Sequence, residues 1–373
     1  MFGKRVTLFR ILGFDIRVDA SWLLIAFLVT WLLSTSFRHE YGDLGTGTIL
    51  LMALSGMLGL FVSVVLHELS HSIVARMHGM EMRGITLFLF GGVAEMGEEP
   101  PTARAEFRMA IVGPFCSYVL AGVFWLLTRW SDSAGLGTPV VGVLKYLTLI
   151  NLVLATFNLL PGFPLDGGRI LRAVLWGWRK NLRWATRVAS TIGGLVGLGL
   201  IVLGVGTAIG GNYVGGAWST LIGMFLRTAA RSSYKQMLAH RVLEEAPVGR
   251  LMQTNPVTVP PDISLEQLVE LYLYRHTFKM FPVVDDSGVL RGCIAISRLK
   301  DVPRDQWGTR RVGEYVEPCS ASNSLNPAAH ALAALQLMNR RRTSRLLIVD
   351  QGALVGVLSL KDLLSFLSRS VRR

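Results

Sequence analysis

The chain has 373 residues, 51% of them hydrophobic, a mean hydropathy of +0.44 and a formal net charge of +13. Apolar residues gathered in long blocks exclude an ordinary soluble globular protein and point to a polytopic membrane protein. The positive charge does not indicate nucleic acid: no basic, aromatic-interleaved patch is present, and membrane proteins concentrate Lys and Arg in cytoplasmic loops.

Residues 1–19 mix basic and β-prone residues (Arg5-Val6-Thr7-Leu8-Phe9-Arg10, then Phe14-Asp15-Ile16-Arg17-Val18), which predicts two short strands ahead of the membrane. A polar, basic stretch before the first apolar run, without a small-residue cleavage site, reads against a cleavable signal. Apolar runs then predict six transmembrane helices at about 21–37, 49–75, 106–128, 140–160, 188–209 and 213–229. Only Gly210-Gly211-Asn212 separates the last two, so they form a tight helical hairpin. Arg76, Arg83, Arg104, Arg108, Arg169, Arg179, Lys180 and Arg231 fall on one side of this arrangement, and only Arg38 and Arg129 on the other. The positive-inside rule therefore predicts a multi-pass protein of the cell (inner) membrane with both termini cytoplasmic. The lipid bilayer is its first partner, and nucleic acid is not one.

The second run, Ile49 to Leu66, ends directly in His67-Glu68-Leu69-Ser70-His71. Residues four apart share a helix face, so His67 and His71 can turn nitrogens toward one ion, with Glu68 beside them as a general base. A His-Glu-His group at membrane depth is costly unless it has work to do. Zinc needs a third protein ligand. His78 is near in sequence, but Gly79 ends the helix there. Asp166 is the better candidate. It lies in Asn158-Leu159-Leu160-Pro161-Gly162-Phe163-Pro164-Leu165-Asp166-Gly167-Gly168-Arg169, just past the fourth span and at the depth of His67. The competing reading of that segment is a plain cytoplasmic turn. Cys116, Cys293 and Cys319 are far apart and odd in number, so they supply neither a disulfide framework nor a C-x-x-C site.

From about residue 240 the chain reads as soluble α/β and repeats itself. Val248-Gly249 recurs as Val312-Gly313, Pro282-Val283-Val284-Asp285 as Leu347-Ile348-Val349-Asp350, and Leu290-Arg291-Gly292 as Leu354-Val355-Gly356, at an offset of 64 to 65 residues. Each copy reads strand, helix, strand–turn–strand, helix. The boundaries so drawn are 1–235 for the membrane domain, 236–247 for a linker, and 248–303 and 304–373 for the two repeats.

The motifs His67-Glu68-x-x-His71, Phe90-Gly91-Gly92-Val93-Ala94-Glu95-Met96, Gly113-Pro114, Asn158 and Leu165-Asp166-Gly167-Gly168, in that order, resemble the site-2 protease family of intramembrane zinc metalloproteases. The tail repeat resembles a pair of CBS domains. The resemblance implies one Zn²⁺ per chain held by His67, His71 and Asp166, with Glu68 the general base that activates water and Asn158 a polar residue holding substrate or oxyanion. It also implies a short membrane-associated β-hairpin over 85–96, whose edge at Gly91, Gly92 and Val93 pairs with an extended substrate. The implied activity is endopeptidase cleavage of a single-span membrane protein near the cytoplasmic face. That fits regulated intramembrane proteolysis of a membrane-held regulator such as an anti-sigma factor.

CBS pairs usually bind adenosine nucleotides (ATP, ADP or AMP) through Gly-h-h-Ser/Thr-x-x-Asp, where h is apolar. The second repeat fits with Gly356-Val357-Leu358-Ser359-Leu360-Lys361-Asp362, which makes Ser359 and Asp362 the ribose contacts. The first repeat departs, with Ala295 and Arg298 in those places. A purely structural pair that joins two chains as a homodimer is the competing reading. The basic run Arg340-Arg341-Arg342-Thr343-Ser344-Arg345 is either a phosphate contact or a solvated face. A CBS-gated membrane transporter or channel is the alternative from another functional class. It leaves His67, Glu68, His71 and Asp166 without work.

Overall fold

The computed structural model describes residues 5–80, 82–88, 91–96, 99–276 and 278–370. The chain divides into two compact units, Met1–Tyr234 and Lys235–Arg373.

The first unit opens with β1 (Arg5–Ile11) and β2 (Phe14–Asp19), an antiparallel pair. Next come α1 (Ser21–Glu40) and α2 (Thr46–Met77), then β3 (Met82–Phe88) and β4 (Gly91–Met96). The four strands form one sheet in the order β1-β2-β3-β4, a joining the sequence did not predict. β2 runs parallel to β3, with Ile16 opposite Ile85 and Val18 opposite Leu87, while β3 and β4 pair antiparallel. Residues 89 and 90, inside the expected hairpin, lie outside the described residues. Alternation along β2 turns Phe14, Ile16 and Val18 to one face, where they pack with Ile85, Leu87 and, from α2, Val65 and Leu69. The last two flank the His67 turn, so the sheet is anchored beside the motif.

α3 (Ala103–Ser133), α4 (Thr138–Asn158), α5 (Asp166–Arg179), α6 (Leu182–Ile209) and α7 (Tyr213–Glu245) complete the helices. Among the described residues five helices, α1, α2, α3, α4 and α6, are long and apolar enough to cross a membrane. The sixth expected span lies in the first half of α7, which is not among them; Gly215, Gly216, Ser219, Thr220 and Arg227 dilute its apolar character. Helix α7 also continues through residues 236–245, read from sequence as linker. Helix α5 was likewise unforeseen. The segment after Asp166 is a helix, and its sequence is too rich in Gly and Arg to stand out as an apolar run.

Polar ties fix the helices. Ser63 Oγ of α2 accepts from Asn151 Nδ2 of α4 at 3.0 Å. Glu106 of α3 and Arg172 of α5 form a buried ion pair, Nε to Oε1 2.6 Å, with the guanidinium also over the Phe163 ring. The turn between α4 and α5 is pinned by Phe163 N–H donating to the Ala189 carbonyl of α6 at 3.2 Å. Together these hold the first residue of α5, Asp166, against α2 and α3.

The second unit holds β5 (Gln253–Thr254), α8 (Leu265–Gln267) running on as a π-helix (Leu268–Leu273), β6 (Met280–Val284) and β7 (Leu290–Ala295). It continues with β8 (Ser324–Leu325), α9 (Ala331–Arg341), β9 (Arg345–Asp350), β10 (Ala353–Ser359) and α10 (Leu360–Ser370). The helix expected after β7 is a 3₁₀ segment, Ile296–Asp301. The two repeats exchange their opening turns. Val248 and Gly249 donate to the Ala329 and Pro327 carbonyls, while Val312 and Gly313 donate to the Ile263 and Pro261 carbonyls. β5 accordingly adds to β10 in the sheet β5-β10-β9-β8, and Glu317 pairs with Cys293 of β7. Val248 lies in the core with Ala334, Leu346 and Leu363, and Val312 in the core with Leu265, Phe281 and Ile294. Each core is therefore assembled from both repeats.

Candidate metal centre and active site

His67 and His71 lie one turn apart on α2, with only 3% and 8% of their surface exposed. Their Nε2 atoms are 3.2 Å apart, and both face Asp166 Oδ2, at 3.1 and 3.2 Å. These are the described residues that could hold a metal ion as a group of three. The fit to zinc is good in kind and in size. Two imidazole nitrogens and one carboxylate oxygen are a zinc donor set, and ligands bound tetrahedrally at about 2.0–2.1 Å lie roughly 3.3 Å apart.

The far side of each imidazole is occupied. His71 Nδ1 lies 2.6 Å from the Met109 carbonyl of α3, which can only accept. The proton is therefore on Nδ1, and in the neutral ring the Nε2 lone pair faces Asp166. His67 Nδ1 meets Ser117 Oγ at 2.9 Å. Such outer contacts fix ring orientation and tautomer in metal sites. Ser117 and the Met109 carbonyl were not found by sequence reasoning; they lie 50 and 38 residues from the histidines they orient. His78 is excluded from the set: it caps the end of α2, and its Nδ1 meets the Val74 carbonyl at 2.9 Å.

Two glycines let backbone approach this group. A Cβ on Gly113 would lie 2.1 Å from His71 Nε2 and 2.8 Å from His67 Nε2, so α3 passes the two imidazoles at a distance only glycine permits. A Cβ on Gly92 would lie 2.5 Å from Glu68 Cγ. β4 is an edge strand of its sheet, and its backbone runs directly over the Glu68 side chain. Gly91 and Val93 flank Gly92 on that strand.

His67, Glu68, His71, Asn158 and Asp166 all line one cavity of about 410 Å³. Gly92 of β4 and Trp218, Ile222 and Phe225 of α7 also line it. Asn158 is the last residue of α4. Glu68 makes no side-chain hydrogen bond or ion pair among the described residues, which leaves its carboxylate available to the cavity.

In the second unit Ser359 and Asp362 cap α10 reciprocally. Ser359 Oγ and N–H both donate to Asp362 Oδ2, at 2.5 and 3.0 Å, and Asp362 N–H donates back to Ser359 Oγ at 3.2 Å. Arg345, at the end of the basic run, places its guanidinium over the Phe278 ring at 5.1 Å. Its Nη1 is buried without a partner among the described residues. Burial lowers the Arg345 pKa and the nearby Asp362 carboxylate opposes that. Burial also pushes the Cys293 thiol up to about 12, which makes it an inert core residue.

Residues 55–138 and 128–203 match Peptidase family M50, and residues 248–304 and 318–369 match the CBS domain. Rip3 of Mycobacterium tuberculosis (strain H37Rv) is 35% identical over 360 residues, covering 96% of this chain and 91% of its own. Zinc metalloprotease MJ0392 of Methanocaldococcus jannaschii is 32% identical over 312 residues, covering 83% of this chain and 84% of its own. The solved site-2 protease from Methanocaldococcus jannaschii is 30% identical, covers 62% of this chain and 95% of its own, and superposes with a TM-score of 0.43. The class is thus a multi-pass membrane zinc metalloprotease. Within it, the chain belongs to peptidase family M50, the site-2 proteases, and carries a CBS domain pair.

Proposed function

We propose that the protein is an intramembrane endopeptidase that cleaves a single-span membrane protein near the cytoplasmic face, with its termini on that side of the inner membrane. The observation that carries this reading is the convergence of His67, His71, Asp166, Glu68 and Asn158 on one cavity of a multi-pass helical domain. His67 Nε2, His71 Nε2 and Asp166 Oδ2 hold zinc. Bound zinc supplies Lewis acidity and lowers the pKa of water toward about 7. Glu68 accepts the proton of the attacking water and passes it to the leaving amine. The Asn158 amide donates to the oxygen on which negative charge develops.

A helical peptide bond is shielded, so the substrate must be extended before it is cut. The outer edge of β4 at Gly91, Gly92 and Val93, unpaired among the described residues, offers backbone donors and acceptors to an extended chain. Contact between Gly92 and Glu68 brings such a chain to the base. A membrane-held transcriptional regulator such as an anti-sigma factor is the kind of substrate this geometry suits.

Metal analysis tests the ligand set. The wild-type chain is expected to hold about one zinc, and the His67→Ala/His71→Ala variant to fall to background. Stoichiometric zinc in the double variant would overturn the assignment.

The CBS pair is proposed to bind an adenine nucleotide and to modulate proteolysis. Support comes from Arg345, a partly buried cation near Asp362, stacked on an aromatic ring and with a donor unsatisfied among the described residues. Asp362 Oδ1 is left for a ribose hydroxyl, since Oδ2 caps α10. Calorimetry on the full chain with ATP, ADP and AMP is expected to show binding that Asp362→Ala weakens about tenfold or more. Arg298→Ala in the degenerate repeat should change it by less than about twofold, as for an exposed side chain away from the ligand. No heat with any of the three at millimolar concentration would leave the pair as a dimerising module.

A further inference from the structure

A second recess lies where α3 and α5 meet, away from the catalytic cavity. It is a crevice of about 240 Å³ lined by Ala103, Phe107, Ala173, Val174 and Gly177, with Arg104 and Arg108 at its rim. Both arginines are exposed, and neither makes an ion pair or hydrogen bond with another described residue.

Local physics disfavours this arrangement unless something answers it. Arg104 and Arg108 are four residues apart on one helix face, where like charges repel. They stand in the first turns of α3, where the helix dipole disfavours cations. Segregation of positive charge to one membrane side explains cations at this end of a span. It does not explain two guanidiniums, without an ion pair among the described residues, framing one apolar recess. An anion above the recess would relieve both penalties, and an apolar tail beneath it would fill the floor.

The composition around the recess fits the membrane interface. α3 is one of the long apolar helices and the arginines sit at its end. On α5, Trp178 is 72% exposed, and Arg179 stacks on Trp184 at 4.3 Å, an aromatic and cationic belt of the kind that sits at headgroup level.

We propose that this crevice binds an anionic phospholipid, with the phosphate on Arg104 and Arg108 and an acyl chain against Phe107, Ala173 and Val174. The site has a direct line to catalysis. α3 supplies Met109, Gly113 and Ser117 around the histidines, and α5 begins with Asp166. The two helices are clamped by Glu106–Arg172 beside the crevice. A lipid bridging the same two helices holds Asp166 against the histidine pair. This last step rests on the metal assignment above; the lipid site itself does not.

Full-length protein in nanodiscs, with phosphatidylglycerol and phosphatidylcholine of identical acyl chains as probes, tests the site by counting retained lipids in native mass spectrometry. Two arginines at headgroup level correspond to about a 30-fold preference for the anionic lipid. Arg104→Gln/Arg108→Gln should reduce it to a few-fold, and Arg104→Lys/Arg108→Lys should keep most of it. Millimolar inorganic phosphate should not displace the retained lipid. An unchanged preference in the Gln variant, or full displacement by free phosphate, overturns the proposal. In the same discs, proteolysis should rise with phosphatidylglycerol in the wild type and stay flat in the Gln variant, with equal rates in phosphatidylcholine alone. Retained lipid preference with no proteolysis in any disc would instead count against the protease reading.

Discussion

Glu68→Gln is expected to reduce cleavage of a membrane substrate by about 10³-fold or more while leaving zinc content and fold unchanged. A positioned general base contributes about 10²–10⁴ to such reactions, and an amide cannot take its proton. The substitution isolates that role. Gln has the shape of Glu, so the close packing of Gly92 on the side chain is kept. The carboxylate makes no hydrogen bond or ion pair among the described residues, so none is broken by removing its charge. Cleavage of a tagged single-span protein, read on a gel beside metal analysis of the same preparation, checks both halves. Near wild-type turnover would remove Glu68 from the mechanism.

Gly113→Ala is expected to weaken zinc binding and activity together, against its local preference. Within a helix Ala is favoured over Gly by about 1 kcal/mol, so α3 alone would gain stability. The added methyl, however, would sit 2.1 Å from His71 Nε2 and 2.4 Å from its Cε1. Neither ring can move aside freely, because each is held on its far side by Ser117 or the Met109 carbonyl. A loss in zinc affinity of about 100-fold is expected, the upper end of the range for disturbing the support of a metal ligand. Gly122→Ala in the same helix is the control, since nothing lies within 4 Å of its added methyl. That variant should keep zinc and unfold at the same or a slightly higher temperature. If Gly113→Ala also kept its zinc and its activity, the close pass of α3 over the ligands would have no functional meaning.

The difference between these two glycines marks what a sequence can carry. Both stand in the same apolar run; Gly113-Pro114 was marked by its place in the motif series, but only the contact across to α2 shows why the position must be glycine. His67, Glu68 and His71 were legible because the helical repeat of 3.6 residues turns a spacing of four into a shared face. Asp166 was legible because it stood in a Pro- and Gly-rich break between apolar runs, where a polar residue asks for a reason. The long helices were legible because a bilayer needs a run of about 20 apolar residues. The tail repeat showed itself by self-similarity at a constant offset.

What the tertiary structure decided has a common cause: contacts between residues far apart in the chain, or made by atoms that carry no residue identity. The Met109 carbonyl that sets the His71 tautomer is backbone, so no choice of side chain announces it. Ser117 is one serine in a helix until α3 crosses α2. Helix α5 was hidden because its stability comes from the Glu106–Arg172 clamp and the pinned Phe163 turn rather than from an apolar run. The exchange of opening turns between the repeats was hidden for the same reason, since a repeat in sequence shows where a unit recurs and not which copy fills which core. Chain-local spacing is set by the geometry of one helix or strand and can be read along the sequence. The support of the site is set by how helices cross, and that is decided only when they pack.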